Sequence, residues 1–250
     1  MSDAPVQLII GATGAAGSAT ARRLATAGAR VVIAGRDETA LKELAGELDA
    51  DVDVRTVDAR DLTAVHELVD AVVEDHGRID GVANLAGSVL LKPAHLTTPD
   101  EWADTIATNL TSAFAVVRAA APAMRKNGGS IVLASSAAAQ TGIANHEAIA
   151  AAKGGIISLV RSAAATYGGK GVRVNAVAPG LVEAKMTEKL VGNEAQADAS
   201  RAMHVLGRLG QGDDIASAVA WLLDPENTWV TGQVLGVDGG LGQVRTRPKG

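Results

Sequence analysis

Short apolar runs alternate with longer amphipathic ones from one end of this 250-residue chain to the other. Residues 6–10 read as a strand that runs into Gly11, with a helix over 18–27. Residues 31–34 form a second strand, a charged amphipathic run covers 37–48, and 52–57 is the third strand. Over 62–76 the apolar positions Val65, Leu68, Val69, Val72 and Val73 recur at helical spacing. Residues 79–85 make the fourth strand. The run 101–124 is a long helix expected to kink or restart near Pro122, which has no amide hydrogen to donate. The fifth strand, 130–134, lies between Gly128-Gly129 and Ser135-Ser136. A second long helix covers about 145–167, and strands follow at 172–177 and 233–237.

Strands alternating with helices build right-handed βαβ units, so the pattern predicts an α/β protein with a parallel sheet of seven strands. No internal repeat, linker or low-complexity tract interrupts it, and residues 1–250 fit one domain. The segment 183–206 is the least regular and is expected to be a mobile lid or substrate loop.

Composition narrows the partners. The chain is 47% hydrophobic with a net charge of −5. Its mean hydropathy is +0.16 and its pI about 5.5. Arg and Lys are scattered, so no basic patch points to nucleic acid or an anionic membrane, and a small molecule is the expected partner. With no cysteine, disulfides, thiolate metal sites and cysteine nucleophiles are excluded, and no metal is expected. The N-terminus lacks a basic patch followed by a long apolar stretch, and the apolar run at 6–10 is too short for a signal segment or a span. A cytoplasmic location is expected. Aromatic residues are only 2%, while Ala and Gly abound, which suits helices packed closely on a sheet.

The first strand runs into Gly11-Ala12-Thr13-Gly14-Ala15-Ala16-Gly17, a G-x-x-G-x-x-G turn that opens a helix. Glycine permits the tight bend and close backbone approach to a pyrophosphate, and the helix amides bind it. A turn that only packs helix on strand would use the same small residues. The second strand ends at Gly35-Arg36. An NAD site usually carries Asp or Glu there for the ribose 2′-hydroxyl. Gly35 removes that carboxylate and Arg36 can pair with a 2′-phosphate, so NADP(H) is favoured over NAD. Asp37 and Glu38 dilute the field, and a solvated arginine is the plainer alternative.

Further motifs follow in a fixed order. Asp58-Ala59 follows the third strand, Asn84-Leu85-Ala86-Gly87 closes the fourth, and Pro179-Gly180-Leu181-Val182 follows the sixth. Val230-Thr231-Gly232-Gln233 and Val237-Asp238-Gly239-Gly240 end the series. Together they resemble the short-chain dehydrogenase/reductase family across about residues 6–240. The resemblance implies a doubly wound Rossmann fold, a nicotinamide cofactor, and usually tetramers. By it, Gly11, Thr13, Gly14, Ala15, Gly17, Asp58, Ala59, Asn84, Ala86, Gly87, Pro179, Gly180 and Val182 hold the cofactor. Most relatives of this length place their glycines as G-x-x-x-G-x-G, whereas here Ala15 takes the second position. The usual threonine two residues after Val182 is Ala184, which removes one bond to the carboxamide. The helices 101–124 and 145–167 resemble those of the family's four-helix dimer contact, implying a homotetramer or homodimer; packing on their own sheet alone is the other reading.

In that family a tyrosine four residues before the lysine gives a proton to the carbonyl, the lysine lowers its pKa and holds the nicotinamide ribose, and a serine polarises the carbonyl. Ser136 and Lys153 fall on this pattern, and Asn109 matches the asparagine of the proton relay. Ile149 stands where the tyrosine belongs. Tyr167, the one tyrosine in the chain, lies roughly 21 Å further down the helix. His146, three residues before Ile149, sits one turn earlier and about 60° around, so its imidazole can serve as general acid. It can equally cap the helix. Glu147 points about 160° away from Ile149. Three functions stay open: an NADP(H)-dependent oxidoreductase acting on a carbonyl or alcohol, a nucleotide-binding sensor or subunit without turnover, and a non-redox lyase or isomerase.

Overall fold

The computed structural model describes residues 4–48, 50–188, 192 and 194–245. Its strands are β1 (Val6–Ile10), β2 (Arg30–Gly35), β3 (Val52–Thr56), β4 (Gly81–Asn84), β5 (Gly129–Ala134), β6 (Val172–Pro179) and β7 (Val234–Val237). They pair in parallel in the order β3-β2-β1-β4-β5-β6-β7. The helices are α1 (Ala15–Thr26), α2 (Glu38–Glu47), α3 (Leu62–His76), α4 (Pro99–Ile106), α5 (Ser112–Met124), α6 (Glu147–Tyr167), α7 (Glu194–Met203) and α8 (Gly212–Leu223). Strand order reverses between β1 and β4, and the crevice at the carboxyl ends there is where a ligand binds in such sheets.

Side chains of successive strand residues point to opposite faces, so one strand feeds two cores. Leu8 and Ile10 enter the core under α3, α5 and α6, while Ile9 enters the one under α1, α2 and α8. Ile33 and Leu133 are fully buried, and truncating either to Ala costs about 2–5 kcal/mol. α3 begins where Asp61 accepts from the amides of Thr63 and Ala64, and it ends at Gly77, whose φ of 75° suits glycine. α6 is long and apolar enough to cross a membrane, yet Ile156, Val160 and Ala163 on it pack into the core beneath the sheet.

Two expectations are corrected. The long helix does not restart near Pro122, which stays inside the last turn of α5 and forgoes the one bond its missing amide would give to Arg118 O. The departure from α geometry is a π turn, Ala107–Thr111. There Asn109 Nδ2 donates to Thr105 O at 2.9 Å and Ser112 Oγ to Thr108 O at 2.8 Å, so side chains occupy carbonyls of the helix ladder. The segment 183–206 is also more regular than expected, holding a 3-10 turn, Lys185–Thr187, and α7; residues 189–191 and 193 of it lie outside the described residues. α7 is anchored because Ala197 and the following His204 are buried. α8, to which the sequence reading assigned no element, packs closely on α1: a Cβ on Gly212 would fall 2.4 Å from Ala15 O.

Candidate active site

The glycine turn is built for close approach. Gly11 has φ +80°, and a Cβ there would lie 2.5 Å from Ala86 N. A Cβ on Gly17 would lie 2.2 Å from Gly11 O, so Gly17 seats α1 on the turn. Gly14 is the N-cap of α1 and makes no side-chain cap bond, and the first turn holds no acidic residue. Its opening amides therefore offer an anion the favourable end of the helix dipole.

One cavity of about 190 Å³ collects the residues that the sequence singled out around this turn. Gly11, Thr13 and Gly14 form one side, Arg36, Asp58 and Ala59 another, and Ala86 and Gly87 a third. Ala15, by its carbonyl, and Gly17 pack against neighbouring backbone, and Val182 bridges to Gly210. Arg60 was missed. It lines the same cavity, donates to both carboxylate oxygens of Asp58 at 2.7–3.0 Å, and reaches Asp104 at 3.2 Å. Arg60, with Arg36 adding to the field, holds Asp58 below the ordinary carboxylate range. The i, i+2 spacing of Asp58 and Arg60 was the available signal.

Beneath the cavity the polar groups are interlocked. Asn84 Oδ1 accepts from Ala86 N at 3.2 Å and its Nδ2 donates to Ser112 Oγ at 3.2 Å, which fixes the turn after β4. Asn109 Oδ1 accepts from Ser88 N at 3.2 Å, and its Nδ2 also donates to Ser88 Oγ at 3.0 Å. A Cβ on Gly87 would fall 3.0 Å from Asn109 Oδ1 and 3.4 Å from Lys153 Nζ, so these three residues converge. Lys153 Nζ donates to Ala134 O at 2.7 Å, and burial pushes its ammonium down to about 8.

A second cavity, of about 510 Å³, brings Ser136, His146 and Ile149 together with Pro179 and Gly180. Ser136 Oγ accepts from Ala138 N at 3.1 Å, leaving its O–H to donate. His146 is the residue before α6, and its Nδ1 donates to Ala144 O at 2.8 Å, which leaves Nε2 as the exchanging nitrogen. Asn145 precedes it with φ 63°, a left-handed bend that asparagine tolerates. Ile149 is 4% exposed and forms part of the wall. His204 and Thr187 were not foreseen. His204 Nδ1 donates to Ser200 O at 2.7 Å and Nε2 accepts from Leu181 N at 3.2 Å. Thr187 Oγ1 donates to Val182 O at 2.6 Å and accepts from Ala184 N at 3.1 Å.

Residues 11–242 match the protein family described as enoyl-(acyl carrier protein) reductase. The chain is 38% identical over 247 residues to the short-chain dehydrogenase/reductase aba4 of Botryotinia fuckeliana, covering 93% of this chain and 95% of that protein. It is 35% identical over 226 residues to the inactive 2-(S)-hydroxypropyl-CoM dehydrogenase 2 of Xanthobacter autotrophicus, covering 88% and 98%. A variant of the actinorhodin polyketide ketoreductase, solved with NADPH, superposes with a TM-score of 0.91 at 32% identity, covering 97% of this chain and 98% of that one.

Proposed function

The chain belongs to the short-chain dehydrogenase/reductase family, and from that premise we propose that it is an NADP(H)-dependent oxidoreductase that interconverts a small carbonyl compound and its alcohol without a catalytic tyrosine. The observation that supports this most is the shared cavity: Ser136, His146 and Ile149 line one space beside the Pro179-Gly180 segment. The glycine cradle fits a dinucleotide, because its pyrophosphate would take the open amides at the start of α1, where any Cβ on Gly11 or Gly17 would collide with backbone. Gly35 places no carboxylate against a 2′-phosphate, and Arg36 and Arg60 stand beside it.

When bound, the nicotinamide supplies hydride to the carbonyl carbon. Ser136 donates its O–H to the carbonyl oxygen and polarises it. His146 delivers the proton from Nε2 when protonated, and takes it back in the reverse direction when neutral, with Nδ1–H held by Ala144. Lys153 is left with the ribose contact, since no phenol stands at 149. Asn109 holds the Ser88 segment in place through its amide. We place the protein in the cytoplasm, as a homotetramer or homodimer in contact through α4–α5 and α6, the first of which leaves Trp102 and Phe114 exposed.

Ile149 also favours a second reading, a nucleotide-binding protein without turnover. The test is loss of NADPH absorbance over a panel of ketones and aldehydes, beside NADPH binding by fluorescence. Turnover that falls about 10²-fold or more in His146→Ala supports the proposal. NADPH binding with no turnover on the whole panel supports the second reading instead.

A further inference from the structure

Resting on the reading of the larger cavity as the substrate site, its walls restrict what can enter. Among the described residues, none of those lining it is Asp, Glu, Lys or Arg. Val89, Leu91, Ile143, Ile149, Leu181 and Met203 are among the apolar side chains that line it. The volume, about 510 Å³, lies within the range of about 300–1,000 Å³ usual for small-molecule sites.

The polar groups in this wall are mostly committed to the protein itself. Both ring nitrogens of His204 are taken by backbone, and the Thr187 hydroxyl is tied into the 182–184 bend. Ser200 adds a neutral hydroxyl. That leaves Ser136 O–H and His146 Nε2 as groups of this wall able to bond a ligand. Three cations next to lining residues in sequence or space are held by carboxylates, Arg201 by Glu194 at 2.9 Å, Arg208 by Asp214 at 2.7 Å and Lys92 by Glu101 at 2.8 Å, while Lys153 is buried against Ala134 O. An ionised group carried past His146 into the apolar part of this space would lose its water and gain no counter-charge from the described lining residues.

The mouth is apolar too. Val89, Leu91 and Met203 are 41%, 38% and 48% exposed, and an apolar ligand would cover them. We infer that the substrate is an uncharged, largely apolar carbonyl compound or its alcohol, whose single reacting oxygen meets Ser136 and His146 and whose remainder carries no ionised group. A keto acid, a sugar phosphate or an anionic carrier thioester would not sit with its charge in this cavity.

Two ketones of similar size test this against NADPH-loaded protein by titration calorimetry: 4-tert-butylcyclohexanone and 4-oxocyclohexanecarboxylate. The neutral ketone should bind about tenfold or more tightly than the carboxylate. In Met203→Lys, at an exposed position of the wall, the carboxylate should gain about tenfold. Equal or tighter binding of the carboxylate by the wild type, or no binding of the neutral ketone, overturns the inference. If the neutral ketone binds in preference but is never reduced, the inference stands and the oxidoreductase reading fails. If the keto acid is bound in preference and reduced, the reverse holds.

Discussion

Leu181 donates its amide hydrogen to Nε2 of His204, 3.2 Å away. Because His204 Nδ1 donates in turn to Ser200 O at 2.7 Å, the imidazole joins α7 to the backbone that follows β6. The fit is close, since a Cβ on Gly180 would lie 2.5 Å from that same Nε2.

His204→Ala leaves the Leu181 amide unpaired in a part-buried site and empties the space of a buried ring. The orphaned amide alone costs about 1–3 kcal/mol. Urea unfolding should show a loss of that size or more, and KM for any accepted ketone should rise because Leu181 lines its cavity. Unchanged stability would mean that the imidazole does not pin this segment.

Lys153 gives stability a pH dependence of defined sign. Burial lowers its pKa from 10.5 to about 8, so between those values the folded chain has shed a proton that the unfolded chain keeps. Its contribution to stability therefore rises with pH across that window. Lys153→Met should be more stable than wild type at pH 7 by roughly 1–3 kcal/mol, allowing for the lost bond to Ala134 O, with the gap closing towards pH 10.5. Denaturant melts of both proteins at several pH values measure this, and a gap that stays constant with pH rules it out.

Ile149→Tyr should raise carbonyl reductase activity about tenfold or more, the low end of what proton transfer contributes. Lys153 would favour the phenolate and draw the new hydroxyl towards a useful pKa. Overpacking costs about 1–3 kcal/mol in closed cores. Here Ile149 faces a cavity of about 510 Å³, which has room for the ring. A folded, NADPH-binding variant with no gain on several dozen carbonyls counts against a latent reductase.

Arg36→Leu should weaken NADPH and leave NADH nearly unchanged. Charge-assisted bonds of this kind contribute about 1.5–3 kcal/mol. Arg36 is exposed and Arg60 shares its cavity, so the low end is expected. Fluorescence titration with both cofactors decides it, and a wild type that binds NADH as tightly as NADPH refutes the assignment.

What could be read from the sequence was what is local. The 62–76 helix was placed to the residue because a capping aspartate and a stopping glycine bracket its periodic core. The cofactor turn was legible because glycine is required where an added Cβ would fall 2.5 Å or less from neighbouring backbone. His204 was not, because its two hydrogen bonds go to main chain, one of them 23 residues away, and leave no pattern in side-chain types. α8 was legible in principle, since Ile215, Val219, Leu222 and Leu223 recur at helical spacing, but its partner α1 lies about 200 residues earlier and leaves no local mark of the contact. The π turn depends on which carbonyls Asn109 and Ser112 occupy, and composition does not reveal that.

That π turn sets the phase of everything before it. Each α-helical residue turns the chain by about 100°, so one surplus residue in a turn rotates α4 by that much relative to α5. The rotation aims Asp104 at Arg60 and turns Thr105 inward, while Trp102 stays at the surface. A chimera that joins this chain to a straight-helix relative must therefore splice outside 107–111, because a junction within it brings the two halves together out of step by about a quarter of a circle.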